Sequence, residues 1–207
     1  MPTLEEIRAQ IARCQRCDLS KARTQTVPGE GNPKARVMLI GEGPGFYEDQ
    51  QGRPFVGPAG QFLEGLLGLA GFLRKDVFIT NVVKCRPPGN RDPEQAELEA
   101  CDGHLRAQIE AIQPRVLVTL GRFSLAKFVP NVRSMKEIHG RAIPWEGRLV
   151  VAMYHPAAAL HQGSLRRVIE DDFRTLPMIV ARESVSTPPP GAPAPVPSAE
   201  QIPLFAL

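Results

Sequence analysis

Four short apolar runs, each ending in a different polar or glycine-rich tip and separated by helix-like segments, constrain this chain more than any other feature. They are residues 36–40 (RVMLI), 76–83 (DVFITNVV), 115–120 (RVLVTL) and 148–153 (RLVVAM). Runs this short, rich in branched side chains and apolar on both faces, read as buried strands. Between them, residues 59–70 set Phe62, Leu63, Leu66 and Leu67 at helical spacing and stop at Gly71. Asp92-Pro93 supplies an N-cap and a first-turn proline for a helix to about Gln113. A short helix is expected after Gly121, a small hairpin over residues 138–145, and a last helix over residues 164–182. At the start, Thr3 to Glu6 forms a capping box, with Leu4, Ile7 and Ile11 on one helical face. Strands alternating with helices predict an α/β fold. The expectation is one domain, with a central, mostly parallel four-stranded sheet flanked by helices on both faces.

In such sheets ligands bind beyond the carboxyl ends of the strands. Those ends carry GEGPG (41–45), Asn81, Gly121-Arg122 and His155-Pro156. GEGPG is not a dinucleotide fingerprint, because Pro44 interrupts the glycines and the next helix is expected only near Ala59. No Gly-Lys-Ser/Thr follows, so it is not a phosphate loop either. Glycines at 41, 43 and 45 let backbone N–H groups approach a ligand, the alternative being a tight turn that holds nothing. Phe55, inside the Gly/Pro-rich loop GRPFVGPAG (52–60), is poorly placed for a core role and well placed to stack on a flat ligand.

The chain has 207 residues, 43% hydrophobic and 23% charged, enough for one domain with a sizeable core. A net charge of +3 permits a polyanionic partner. No apolar run approaches the roughly 18 residues of a membrane helix. The leading MPTLEEIRAQ carries acids where a signal peptide carries bases, so a cytoplasmic, monomeric protein is expected. Residues 1–183 form the expected domain. Residues 184–207 turn to proline, alanine and serine, which lack the apolar bulk to offset folding entropy, and predict a disordered tail.

The cysteines fall as Cys14-x2-Cys17 and, after a long gap, Cys85-x15-Cys101. A disulfide framework is not expected in the cytoplasm. A zinc ribbon would show two close pairs, and this chain has one. Four thiolates suit zinc or an iron–sulfur cluster, with buried, unligated thiols as the third reading.

Taken together, GEGPGFYED (41–49), GRPFVGPAG (52–60), TNVVKCRPPGNR (80–91), YHPAAAL (154–160) and the four cysteines closely resemble the family 4 uracil-DNA glycosylases. The likeness spans roughly residues 3–180. It implies excision of uracil from DNA and a [4Fe–4S] cluster on Cys14, Cys17, Cys85 and Cys101. Gly41, Glu42 and Gly43 would line the uracil pocket, Phe55 would stack on the base, Asn81 would read its edge, and His155 would face O2. Glu48 matches a position near C5 of the base; Phe46 and Tyr47 stand where the family has polar residues. Glu42 and His155 are the catalytic candidates. Gly43 stands where better-known uracil-DNA glycosylases carry an aspartate, so no dedicated base is expected there. A relative that captures uracil-DNA covalently uses a histidine on an inserted loop after the second strand. Here that segment is KCRPPGNRDP, so turnover is expected.

For DNA, Lys84, Arg86 and Arg91 beside Cys85 are expected to neutralise phosphates, the alternative being a solvated basic loop. Arg122 lies where a helix N-terminus would meet another phosphate, and Leu160 would wedge into the emptied stack unless it is core. The segment Gln201 to Phe205 (QIPLF), through Gln201, Leu204 and Phe205, resembles a sliding-clamp-binding peptide. The competing classes are a non-catalytic iron–sulfur or zinc nucleic-acid-binding module and a mononucleotide-using transferase.

Overall fold

The structure is a computed structural model, and it describes residues 2–186. The elements in chain order are α1 (Leu4–Ala12), α2 (Leu19–Ala22), β1 (Glu30–Gly31), β2 (Val37–Gly41), α3 (Phe46–Gln51), α4 (Pro58–Leu69) and β3 (Phe78–Asn81). They continue with α5 (Gln95–Ile112), β4 (Val116–Leu120), α6 (Arg122–Ala126), α7 (Met135–Ile138), β5 (Ala142–Trp145), β6 (Arg148–Met153), α8 (Pro156–His161) and α9 (Ser164–Ser186). Clamp-peptide residues Gln201, Leu204 and Phe205 lie outside the described residues.

The four apolar runs are the four parallel strands β3, β2, β4 and β6, in that spatial order. Every residue of β2 and β4 is buried, which a strand covered on both faces requires. Alternate side chains separate two cores. Leu39, Ile79, Val118 and Val151 pack with Leu63, Leu66 and Leu67 of α4 and Phe173 of α9 on one face. Met38, Ile40, Leu117 and Val150 pack with Leu105 and Ile109 of α5 and Leu125 of α6 on the other.

The sheet has six strands rather than four. β1 pairs antiparallel with β3 at one edge, and β5 pairs antiparallel with β6 at the other. A two-residue strand offers no periodicity to read, and β5 joins β6 as half of the expected hairpin instead of forming one alone. The long central helix begins at Gln95, later than Asp92-Pro93 implied. Glu97 accepts from Glu94 N–H at 2.8 Å and so sets the cap there, while Asp92 pairs with Arg122 instead. The last helix continues to Ser186, four residues past its expected end at residue 182.

The chain order of the parallel strands makes a topological switch. From β2 the chain moves to β3 on one side, then returns to β4 on the other. The loops leaving β2 and β4 therefore diverge and open a crevice at the carboxyl edge. That crevice holds the site.

Candidate active site

A cavity of about 460 Å³ occupies this edge, within the size range of small-ligand sites. Glu42, Gly43, Gly45, Phe55, Asn81 and His155 all line it, so residues far apart in sequence meet as the strand ends required. A wider groove of about 730 Å³ between α5 and α6 has Asp102 and Lys127 spent on each other and Glu99 accepting from Gln95. The smaller cavity is walled by the buried Asn81, whose side-chain oxygen has neither a hydrogen bond nor an ion pair among the described residues.

Gly41 and Asn81 are register partners at the ends of β2 and β3. A side chain at 41 would collide with the Asn81 amide and the Phe55 ring, so glycine is demanded by close approach. Asn81 is 2% exposed, and its Oδ1 finds no hydrogen-bond partner among the described residues. A buried acceptor left unpaired costs free energy that a ligand donor can recover.

Across the switch, Glu42 Oε1 accepts from Phe123 N–H at 3.1 Å, and any side chain at Gly121 would strike the same carboxylate. Burial raises the Glu42 carboxyl above its usual range, with the Phe123 N–H opposing.

The turn after Gly45 is not open loop. It passes directly into α3, whose first turn delivers Glu48. Glu48 Oε2 accepts from Gly45 N–H at 3.2 Å, and its Oε1 accepts from Val56 and Gly57 N–H at 2.8 and 2.9 Å. This carboxylate sews the glycine turn to the loop carrying Phe55, and it also lines the cavity. Between those anchors Phe55 holds φ of 50°, a left-handed conformation uncommon for a bulky residue. Arg74 clamps the loop from behind, donating to the Pro54 carbonyl and, at 3.3 Å, to that of Phe55. Phe55 is only 6% exposed and packs in the core, contrary to the sequence reading, yet it still lines the cavity. Local composition suggested a loop; the packing beneath it was set by α4, where Gly60 lies against the Phe55 backbone.

His155 stacks on Phe55 with centroids 5.6 Å apart and planes 26° from parallel. It caps α8, its Nδ1 accepting from Ala157 N–H at 3.1 Å. A neutral imidazole that accepts at Nδ1 carries its proton on Nε2, which is thereby a donor. Burial pulls the ring down to about 4, against the opposing pull of the Glu48 carboxylate, so it is neutral at pH 7.

The basic residues divide. Lys84 is 1% exposed and cannot reach a phosphate, which corrects the sequence reading. Its Nζ donates at 2.7 Å to each of Thr80 Oγ1, the Asn81 carbonyl and Gln108 Oε1. The TNVVK segment bends back after β3, so the lysine points inward under the strand end; adjacency to Arg86 gave no hint of this. Arg86 stands at the rim with Nε on Asn90 Oδ1 at 2.7 Å. Arg91 lines the cavity but is held by Glu97 through bonds of 2.9 and 2.6 Å. Arg122 pairs with Asp92. Leu160 is 50% exposed on α8, next to cavity-lining His161.

The first helix does fold back on the domain: Cys14, Cys17, Cys85 and Cys101 line one pocket together with Arg16, Arg23 and Lys84. Arg23 donates to Cys85 Sγ at 3.1 Å. Burial pushes the Cys101 thiol up to about 11 and raises Cys85 too, so these two thiols when bare are protonated. Among the described residues no group of three or more His, Cys, Asp or Glu side chains is gathered as a grip for a single ion. Four sulfurs around one pocket nevertheless suit a cationic metal core that takes them as thiolates, with Arg16, Arg23 and Lys84 offsetting the negative charge of the completed group. Glu48's three bonds and the Arg74 clamp had no signature in the sequence. Arg74 lies outside every motif, and a capping acid looks like any helix-start acid.

Fold and cavity define a doubly wound α/β protein with a cavity of small-ligand size at the switch point of its sheet. The uracil DNA glycosylase superfamily model matches residues 28–174. The type-4 uracil-DNA glycosylase of Sulfurisphaera tokodaii is 45% identical over 197 residues, covering 91% of this chain and 87% of that protein. That of Saccharolobus solfataricus is 45% identical over 198 residues, 91% of this chain and 89% of that protein. That of Archaeoglobus fulgidus is 44% identical over 185 residues, 85% and 92%. The chain belongs to the uracil DNA glycosylase superfamily.

Lys84→Met is expected to destabilise the protein by about 1–3 kcal/mol, because it strips the Asn81 carbonyl and Gln108 Oε1 of a buried donor. Urea denaturation measures this; a stability equal to wild type contradicts the network.

Proposed function

We propose that this protein excises uracil from DNA by cleaving the N-glycosidic bond, leaving an abasic site for base excision repair. The observation that carries the reading is the unpaired, buried Asn81 Oδ1 in the wall of a cavity that also holds the stacked Phe55–His155 pair. An orphan acceptor selects a ligand with a donor at that edge. Uracil presents N3–H there, whereas cytosine presents an acceptor and leaves both groups unsatisfied, a mismatch that discriminates strongly.

A base within a duplex cannot reach this cavity, so the nucleotide is flipped out. Phe55 covers the face of the base, and the Gly41–Gly43 turn follows its edge. As the C1′–N1 bond breaks, its electron pair goes to the base, and negative charge grows on O2 while the sugar becomes oxocarbenium-like. The neutral His155 donates from Nε2 to that oxygen, where a fixed donor acts on developing charge. Water adds to C1′, its lost proton passing to solvent, with Glu42 orienting it. Gly43 offers no carboxylate, so donors to the departing anion carry most of the rate. Glu48 acts by holding the Gly45 and Phe55 segments together around C5.

Cys14, Cys17, Cys85 and Cys101 would hold a [4Fe–4S] cluster, which as a fully thiolate-ligated group supplies structural order rather than reaction chemistry. The pocket they share and its Arg16, Arg23 and Lys84 surround support that assignment. Arg86, Arg91 and Arg122 contact phosphates, the last two by exchanging their carboxylate partners, and Leu160 fills the gap in the stack. Residues 1–183 act as the catalytic domain and residues 184–207 as a tail whose last segment anchors to a sliding clamp. Among the described residues no helix is long and apolar enough to cross a membrane; a monomer acting in the cytoplasm at the nucleoid fits the reading.

Alkali-sensitive nicking of a uracil-containing oligonucleotide tests the whole reading, and the same strand with cytosine should stay intact. His155→Ala should lower turnover by about 10²–10³-fold, the usual consequence of losing one such donor; near-full turnover would remove His155 from the mechanism. Because its folded value of about 4 lies below the ordinary histidine range, the ring should stay neutral and active down to pH 5. The same depression adds stability above roughly pH 6.5 that is lost as pH falls toward about 4. Acid titration of unfolding should therefore be less steep in His155→Gln than in wild type. Cys101→Ser should lower iron and acid-labile sulfide content together with the thermal midpoint; unchanged iron refutes the ligand set. Deleting residues 200–207 should abolish clamp binding in a pull-down, and undiminished binding removes the tail's role.

A further inference from the structure

Six large apolar side chains are exposed among the described residues: Phe46, Tyr47, Leu69, Leu73, Leu160 and Met178. Three of these six are close chain neighbours of residues that line the cavity. Phe46 and Tyr47 directly follow Gly45, and Leu160 precedes His161, both Gly45 and His161 being cavity-lining residues. Leu160 already has a proposed task, filling the gap left by an extruded base. The aromatic pair has none.

Its geometry is that of a surface for flat ligands. Phe46 and Tyr47 are each 51% exposed on the first turn of α3, with centroids 5.5 Å apart and planes 83° apart. The Arg86 guanidinium carbon lies 5.1 Å from the Phe46 centroid. Arg86 is fixed from its other side by Asn90, and Asn90, Pro87 and Arg91 line the cavity. One aromatic face and one guanidinium thus meet at the cavity mouth, held on one side by the Glu48-braced turn and on the other by the loop after β3. Tyr47 leans on Gly57 of the Phe55 loop, yet about half of each aromatic residue stays open, and an aromatic–arginine rim is how proteins grip unstacked bases beside phosphates. Flipping a base leaves each of its neighbours with an uncovered face beside the pocket.

We propose that Phe46 and Tyr47, with Arg86, form a stacking platform for the nucleotide that flanks the extruded uracil. The partner is DNA with an unpaired strand near the lesion, and the positive guanidinium suits its phosphate–base edge. This inference rests on the uracil-excision reading above and adds the neighbouring-nucleotide site.

The test uses the full chain and single-stranded oligonucleotides carrying one 2′-fluoro-deoxyuridine, a substrate whose glycosidic bond resists cleavage. Three oligonucleotides are compared: normal neighbours, an abasic spacer on the 5′ side, and an abasic spacer on the 3′ side. In fluorescence anisotropy, the Phe46→Ala/Tyr47→Ala protein should bind the normal strand about tenfold more weakly than wild type. On one of the two spacer strands the mutant and wild type should bind equally, because the stacking partner is gone. The salt slope should be unchanged in that variant, while Arg86→Gln should lower it by about one. An equal mutational loss on all three strands, or no loss on any, overturns the platform. A surface serving a protein partner gives the second result. Phe46→Leu/Tyr47→Leu guards against a folding defect: its thermal midpoint should match wild type, and its affinity should fall as the alanine variant's does. Wild-type nicking of a cleavable uracil strand, run in parallel, separates the two hypotheses. Nicking with no platform effect sinks only this inference, whereas failure to nick sinks the uracil reading itself.

Discussion

Three backbone N–H groups from two separate segments converge on the carboxylate of Glu48, and the geometry of the cavity depends on that convergence. Without it the glycine turn after β2 and the loop before α4 would share only the apolar contacts of Gly41 with the Phe55 ring and of Tyr47 with Gly57. With it they become one rigid lip. Phe55 can then be held at a positive φ that a bulky side chain does not choose, and such conformations persist where surrounding contacts over-determine them. Arg74 and Gly60 complete the brace, one by binding the loop's carbonyls and the other by leaving room for its backbone. The aromatic ring is therefore both core and cavity wall, which is how its face stays fixed.

The polar groups in the same cavity are tuned by what the fold withholds from them. Asn81 sits at the strand end with its backbone carbonyl engaged by Lys84 and its side-chain oxygen left unpaired. His155 is locked into one tautomer by the Ala157 N–H and kept neutral by burial. Glu42 is gripped across the switch by Phe123. His155 and Glu42 are held by backbone N–H groups at the starts of α8 and α6, and Asn81 by its buried place at the end of β3. Preorganisation of this kind is what charge stabilisation in a reaction needs, because no energy is then spent reorienting dipoles. Lys84 joins this cavity to the cysteine pocket: its ammonium serves the Asn81 carbonyl, and the same residue lines the pocket of the four thiols.

Much of this was legible in the chain. The four parallel strands announced themselves because a strand buried on both faces must be almost wholly apolar, and β2 and β4 are. The tips that meet at the cavity were legible because strand ends in this class share one edge. Helix α3 was not, since Phe46 and Tyr47 replace the polar start a helix usually shows, and Glu48, besides capping at Gly45 N–H, binds backbone of a distant loop. The edge strands β1 and β5 were missed or misread, as two residues carry no period and a hairpin strand can pair elsewhere. Lys84 was placed at the surface because charge next to arginines suggests solvent. Only its three buried acceptors reveal otherwise.

The sequence by itself determined the layer architecture, the order of apolar and polar segments, and the chemical types gathered at the strand ends. These follow from local periodicity and from the need to satisfy backbone groups, both of which a linear chain carries. The tertiary structure decided which acceptor stays unpaired, which imidazole nitrogen holds the proton, which lysine is buried, and where the exposed aromatics stand relative to the cavity. Those properties depend on neighbours separated by tens of residues, and only packing brings such neighbours within reach of each other's fields.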